Sequence, residues 1–170
     1  MKCLVTGGTG FTGKALCLRL LQEGWAVVSL DYKEGLKTDE LRRAGAEVII
    51  GSVTDRAVVE RAMAGVDTVY HLAAAFRELN VPNAYYDEVN VGGMRIVAEA
   101  AVRAKVRRLI YCSTCGVHGN VDHPPADETA PIQPAIRHNP RIRRLAAIDK
   151  KASPRTRLGD TLIPFDDHSL

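Results

Sequence analysis

The chain has 170 residues, 46% of them hydrophobic and 25% charged, the composition of a single soluble globular domain large enough to bury a core. Its net charge of +3 is carried by the end of the chain. Residues 136–170 hold eight basic against four acidic side chains (+4), and residues 1–135 hold 15 against 16 (−1). The basicity thus belongs to the tail and says nothing about nucleic-acid binding by the domain, for which no nucleic-acid partner is expected. No apolar run approaches the roughly 18–20 residues of a membrane span, and Cys3, Cys17, Cys112 and Cys115 suit buried, reduced thiols in a cytoplasmic protein without a secretory signal.

In chain order, residues 2–6 predict a first strand and residues 11–23 a helix that stops at Gly24. A second strand covers 25–31. A second helix runs from Leu36 to Ala44, with Gly45 as its C-terminal cap. Glu47–Ile50 predicts a third strand, and Asp55 an N-cap for a helix reaching about Ala64 and ending at Gly65. Thr68–Leu72 predicts a fourth strand running into the small-residue turn Ala73–Ala75. A long helix is expected over 84–104 in spite of Gly92 and Gly93, then a fifth strand over 108–112 and a Gly- and Pro-rich loop to Pro134. From about residue 136 both periodicities stop, and weak or absent structure is expected there.

Between the first strand and the first helix lies Thr6-Gly7-Gly8-Thr9-Gly10-Phe11-Thr12-Gly13. Strand, glycine turn and helix together place a dinucleotide pyrophosphate at a helix N-terminus, where unpaired N–H groups and the helix dipole favour negative charge. The acidic residue that completes the pattern is Asp31, 18 residues after Gly13, near the roughly 20 expected for a carboxylate that accepts from an adenosine ribose. A carboxylate there repels a 2′-phosphate, so NAD is favoured over NADP. Lys33 leaves NADP open. The fold class is therefore α/β, a Rossmann-type doubly wound parallel sheet. It is incomplete at about five strands, with residues 1–135 as the NAD(P)-binding domain and 136–170 as an irregular tail.

These motifs resemble the extended short-chain dehydrogenase/reductase family, the NAD-dependent epimerase/dehydratases, over about residues 1–135. Thr6–Gly13 is similar to the family's TGxxGxxG, with Gly7, Gly10 and Gly13 on the glycine positions. The resemblance makes Phe11 a backbone donor to phosphate and places Thr12 in the same cofactor-binding turn. Gly51–Asp55 resembles the adenine-contacting segment, with Val53 offering its backbone and Ser52 standing where the family carries an acid. His71-Leu72-Ala73-Ala74 resembles the turn after strand four that lets ribose and phosphate lie against the backbone; His71 is read as a core residue. Tyr86–Gly93 resembles the family's YxxNVxGT segment, which implies that Asn90 organises the active-site backbone. Ile110–Gly119 resembles the end of strand five, which implies Thr114 as the hydroxyl that positions a substrate oxygen and Ser113 beside the cofactor. Cys112 and Cys115 form one CxxC pair with no second pair, so no metal or redox site is expected.

Chemistry in this family resembles acid–base catalysis by a Tyr-x-x-x-Lys pair on the helix after strand five. The tyrosines stand at 32, 70, 85, 86 and 111, and none has a lysine four residues on. Truncation or a frame shift near residue 136 accounts for that pattern at this level. Three readings follow: an epimerase or dehydrogenase by ancestry that lacks its proton-transfer pair, a non-catalytic NAD-binding module, or a poorly folded fragment. The substrate is an unassigned small molecule, and the family implies a homodimer face on the 84–104 helix.

Overall fold

The computed structural model describes residues 1–76, 80–113, 124, 125 and 127. The chain divides into two compact units, Met1–Ile110 and Tyr111–Leu170. The expected boundary near residue 136, the tail and the loop to Pro134 lie outside the described residues, apart from Pro124, Pro125 and Asp127 of the loop.

Five strands, β1 (Lys2–Thr6), β2 (Ala26–Asp31), β3 (Glu47–Ile50), β4 (Thr68–His71) and β5 (Arg108–Tyr111), form one sheet in the order β3-β2-β1-β4-β5. The β1–β2, β1–β4 and β2–β3 pairs are parallel, with Thr6 opposite Leu30 on one side and His71 on the other. Cys3, Leu4, Val5 and Thr6 are all fully buried, because helices cover both faces of a parallel sheet and leave no solvent side. On one face, α1 (Phe11–Gln22) packs against α2 (Leu36–Arg43). Here Cys3 and Val5 meet Cys17, Leu20, Val27 and Leu41 in one apolar cluster. On the other, α3 (Arg56–Ala62) packs against α5 (Gly93–Arg103), and salt bridges Arg56–Glu99 (2.6 Å) and Arg103–Glu60 (2.7 Å) lie across that pair.

The long helix expected over 84–104 is divided into three segments. A short α4 (Asn83–Asp87) passes through a π-helical turn, Glu88–Gly92, into α5. Gly93 is buried where this turn meets the segment after β3, and a Cβ there would lie 2.6 Å from Val53 Cγ2. The expected burial of all four thiols is corrected for one of them. Cys3 and Cys17 are buried, and burial pushes their thiols up to about 11 and about 12. Cys112, one residue past β5, is exposed.

Three helices end in the same hydrogen-bonded motif. Past α1, Trp25 N–H donates to Leu20 O and Gly24 N–H to Leu21 O. Past α2, Ala46 and Gly45 repeat this on Leu41 and Arg42, and past α5 Val106 and Lys105 repeat it on Ala101 and Val102. The motif needs a left-handed residue. Gly24 (φ 79°) and Gly45 (φ 99°) supply it without strain, whereas Lys105 (φ 54°) carries a Cβ in that conformation. Relief of about 1–2 kcal/mol of strain against about 0.4–1 kcal/mol of extra unfolded-state entropy predicts that Lys105→Gly stabilises the fold by about 0.5 kcal/mol. The denaturant midpoint should rise with an unchanged slope.

Candidate functional site

The carboxyl ends of β1, β2, β3 and β4 are tied together by their own backbone. Gly7 N–H donates to Leu30 O at 2.8 Å, Gly51 N–H to Asp31 O at 2.9 Å, and Leu72 N–H to Thr6 O at 3.2 Å. Above this edge opens a cleft of about 500 Å³ whose walls come from the connections that leave β1, β2, β3 and β4. The glycine turn contributes Gly7, Thr9 and Gly10, the β2 end Asp31 and Lys33, and the segments after β3 and β4 Ser52, Val53 and Leu72–Ala75; Tyr85 and Val89 close one side. In the order 3-2-1-4-5 the connections leave β1 and β4 toward opposite faces, so the crevice falls at the switch point where open α/β sheets bind ligands.

The glycines act in different ways. A Cβ on Gly13 would collide with the carbonyl of Gly7, so the third glycine lets α1 start in contact with the turn. Gly7 (φ 70°) is left-handed, and a Cβ there would lie 2.9 Å from Ala73 N. Gly10 faces the cleft, where a Cβ would meet only Gly7 O, at 3.0 Å. Gly10 is also the N-cap of α1; no side chain caps this end and no acid occupies its first turn. Phe11 and Thr12 are exposed in that turn, Phe11 at 92%, and neither they nor Gly13 line the cleft. Gly13→Ala is predicted to cost about 3 kcal/mol or more by overpacking against backbone, while Gly10→Ala stays within about 1 kcal/mol of the parent in denaturant unfolding.

Asp31 ends β2 at 9% exposure. Its Oδ2 accepts from Thr9 N–H at 2.9 Å and Thr9 Oγ1–H at 2.7 Å, and its Oδ1 from Tyr32 N–H at 2.8 Å. Lys33 Nζ stands 4.8 Å from the centre of the Tyr32 ring. Ser52 Oγ pairs with Thr54 Oγ1 at 2.8 Å and accepts from Thr54 N–H at 3.1 Å, so its hydroxyl is turned to its own loop. Asn90 does not line the cleft. From the π-helical turn, its Oδ1 accepts from Ala75 N–H at 2.7 Å and its Nδ2 donates to Ala75 O at 3.2 Å, clamping a residue that does line it.

The structure thus brings together Gly7, Gly10, Asp31, Ser52, Val53, Leu72, Ala73 and Ala74 around one cleft. Gly13 and Asn90 touch wall residues, Gly7 and Ala75, without lining it, and Phe11 and Thr12 are exposed and do not line it. Ser113 belongs to the second unit, and Thr114 lies outside the described residues. Sequence reasoning missed Thr9, Ala75, Tyr85 and Val89 as wall residues.

A buried polar chain fixes the floor. Thr6 Oγ1 accepts from Ala73 N–H at 3.2 Å and lies 2.8 Å from His71 Nδ1. Burial pushes the His71 imidazole down to about 4, so the ring is neutral at pH 7, as befits a core residue. Unfolded, the ring takes up its proton near pH 6.5, whereas the folded ring resists until about pH 4. Its contribution to stability is therefore complete above pH 6.5 and lost as pH falls toward 4, about 3 kcal/mol at most. Denaturant unfolding between pH 7 and 4 should show this loss, and His71→Gln should flatten it relative to the parent.

The sheet order and the cleft above the glycine turn define a Rossmann-type domain. The family model for the NAD dependent epimerase/dehydratase family matches residues 3–140. UDP-glucose 4-epimerase of Neisseria meningitidis serogroup B is 33% identical over 91% of this chain and 50% of its own length. The 3 beta-hydroxysteroid dehydrogenase/Delta 5-->4-isomerase of Mycobacterium tuberculosis is 36% identical over 76% of this chain and 36% of its own. Among solved structures, a Stenotrophomonas maltophila UDP-glucose-4-epimerase with bound NAD and formylated UDP-arabinopyranose superposes with a TM-score of 0.75, at 28% identity, over 89% of this chain and 49% of that one. The chain belongs to the NAD dependent epimerase/dehydratase family. It spans about half the length, or less, of the relatives it matches.

Proposed function

We propose that this chain binds NAD in the cleft over the glycine turn and, in these 170 residues, does so without efficient turnover. The observation that carries the reading is one cleft lined both by the Asp31 carboxylate and by Gly10, the N-cap of α1, an end that no side chain caps. That end presents N–H groups and the positive end of the helix dipole to a pyrophosphate. A carboxylate at Asp31 accepts from ribose hydroxyls and disfavours a 2′-phosphate. The walls fit such a group: Gly10 leaves open the space a side chain would fill, and the cleft volume of about 500 Å³ lies within the usual ligand range.

When bound, NAD supplies a nicotinamide that accepts or returns hydride. The residues of this chain hold the cofactor: Gly7, Gly10, Phe11, Thr12 and Gly13 at the pyrophosphate, Asp31 at the ribose, Ser52 and Val53 toward the base, and Leu72, Ala73 and Ala74 along the floor, with Asn90 holding Ala75. The family resemblance adds Ser113 beside the cofactor and Thr114 at a substrate oxygen. Proton transfer is the missing function, since no tyrosine in the sequence has a lysine four residues later; that contribution is typically worth about 10²- to 10⁴-fold. Relatives that are UDP-glucose 4-epimerases and a hydroxysteroid dehydrogenase support an epimerase or oxidoreductase ancestry.

Calorimetry with NAD and NADP on the 170-residue chain tests the reading. NAD should bind at least tenfold more tightly, Asp31→Asn should erase most of that preference, and neither UDP-galactose from UDP-glucose nor reduced nicotinamide from a hydroxysteroid should form. Equal affinity for the two dinucleotides, or none for either, overturns the proposal, and steady turnover overturns its second half.

A further inference from the structure

Asp31 is more heavily committed than a ribose-reading carboxylate is expected to be. A carboxylate offers about four lone-pair positions. Two are taken by Thr9, through N–H at 2.9 Å and Oγ1–H at 2.7 Å, both on Oδ2, and one by Tyr32 N–H on Oδ1. That leaves one position, on Oδ1. A ribose edge presents two hydroxyls, and one open position cannot accept from both.

The second acceptor stands beside it. Thr9 lines the same cleft, and its hydroxyl has given its only proton to Asp31. Such a hydroxyl has both lone pairs left and can accept but not donate. Bonding to a carboxylate also polarises it toward a better acceptor. Thr9 is held for this role by its own N–H on the same oxygen, which closes a two-point clasp between the glycine turn and the end of β2.

We propose that Thr9 Oγ1 and Asp31 Oδ1 together read the two hydroxyls of the adenosine ribose, one each, with Thr9 also positioning the carboxylate. The proposal rests on the NAD-binding reading and sharpens it. A ribose bearing a 2′-phosphate then meets two acceptors, neither of which can donate, so discrimination against NADP is shared by the pair. The middle position of the glycine turn is thereby a specificity determinant, where the glycine pattern treats it as a spacer.

The test is calorimetric binding of NAD and of two NAD analogues, one without the adenosine 2′-hydroxyl and one without the 3′-hydroxyl. The parent chain should lose about five- to tenfold in affinity with either analogue, the size of one hydrogen bond to a charge-assisted acceptor. Thr9→Val should bind NAD about five- to tenfold more weakly and become indifferent to one of the two hydroxyls. Thr9→Ser, which keeps the oxygen, should match the parent within about twofold. Thr9→Ala serves the same comparison if the valine variant does not fold cooperatively. Unchanged dependence on both hydroxyls in the variants overturns the inference while leaving NAD binding intact. So does a loss equal for NAD and both analogues, the signature of a merely structural role. A parent chain that binds no NAD overturns the functional reading itself and this inference with it.

Discussion

The site depends on one contact, the approach of Gly13 to the carbonyl of Gly7, a space that no side chain can share. Because α1 begins in contact with the turn that feeds it, its N-cap, Gly10, stays in the cleft wall beside Gly7 and Thr9. The same contact brings the middle of the turn beside the end of β2, where Thr9 reaches Asp31. A β1–α1 connection longer by one side chain would move the helix off the sheet edge. The contact of Gly10 with the cleft and the carboxylate clasp would be lost together.

Around that contact the polar groups of the sheet edge are used almost wholly on one another. Thr6 serves both His71 and Ala73, Asn90 takes both backbone groups of Ala75, and Ser52 and Thr54 pair. Each of these ties joins segments that are adjacent only in the folded sheet or shapes a loop that borders the cleft. The result is a preorganised rim whose remaining polar capacity is small and directional. Buried groups left partly unsatisfied would be costly, which is why the few open acceptors on Asp31 and Thr9, at the cleft wall, are the ones the proposed ribose contact uses.

Much of this was legible in the sequence, and for a physical reason. The strands β1 to β4 are short apolar runs punctuated by glycines at 24, 45 and 65, each of which adopts the left-handed conformation that only glycine reaches cheaply. Asp55 caps α3 through Val58 N–H as its position suggests. What stayed illegible depends on tertiary placement. Lys105 ends α5 in the motif that glycine serves elsewhere; the helix end expected at 104 lies one residue from the observed Arg103, but the left-handed turn that makes it carries no glycine signal. The π-helical turn at Glu88–Gly92 cannot be told from α-helix by periodicity over five residues. Thr9 lies 22 positions from Asp31, and only the parallel β1–β2 register makes them neighbours. Cys112 follows a buried strand, and exposure beyond a strand end is a property of what surrounds it.

The separation of binding from chemistry follows from the same architecture. In a doubly wound sheet the adenosine half of a dinucleotide meets β1, β2 and the segment after β3, all within Met1–Ile110. Those elements carry their own core, their own caps and a closed set of hydrogen bonds, so their affinity needs no tyrosine or lysine. Acid–base groups act only on the transition state and add little to ground-state binding. In the NAD-binding reading proposed above, the ribose and pyrophosphate contacts made by these elements supply affinity independently of any acid–base pair, and so affinity for NAD is no measure of catalytic competence in this fold.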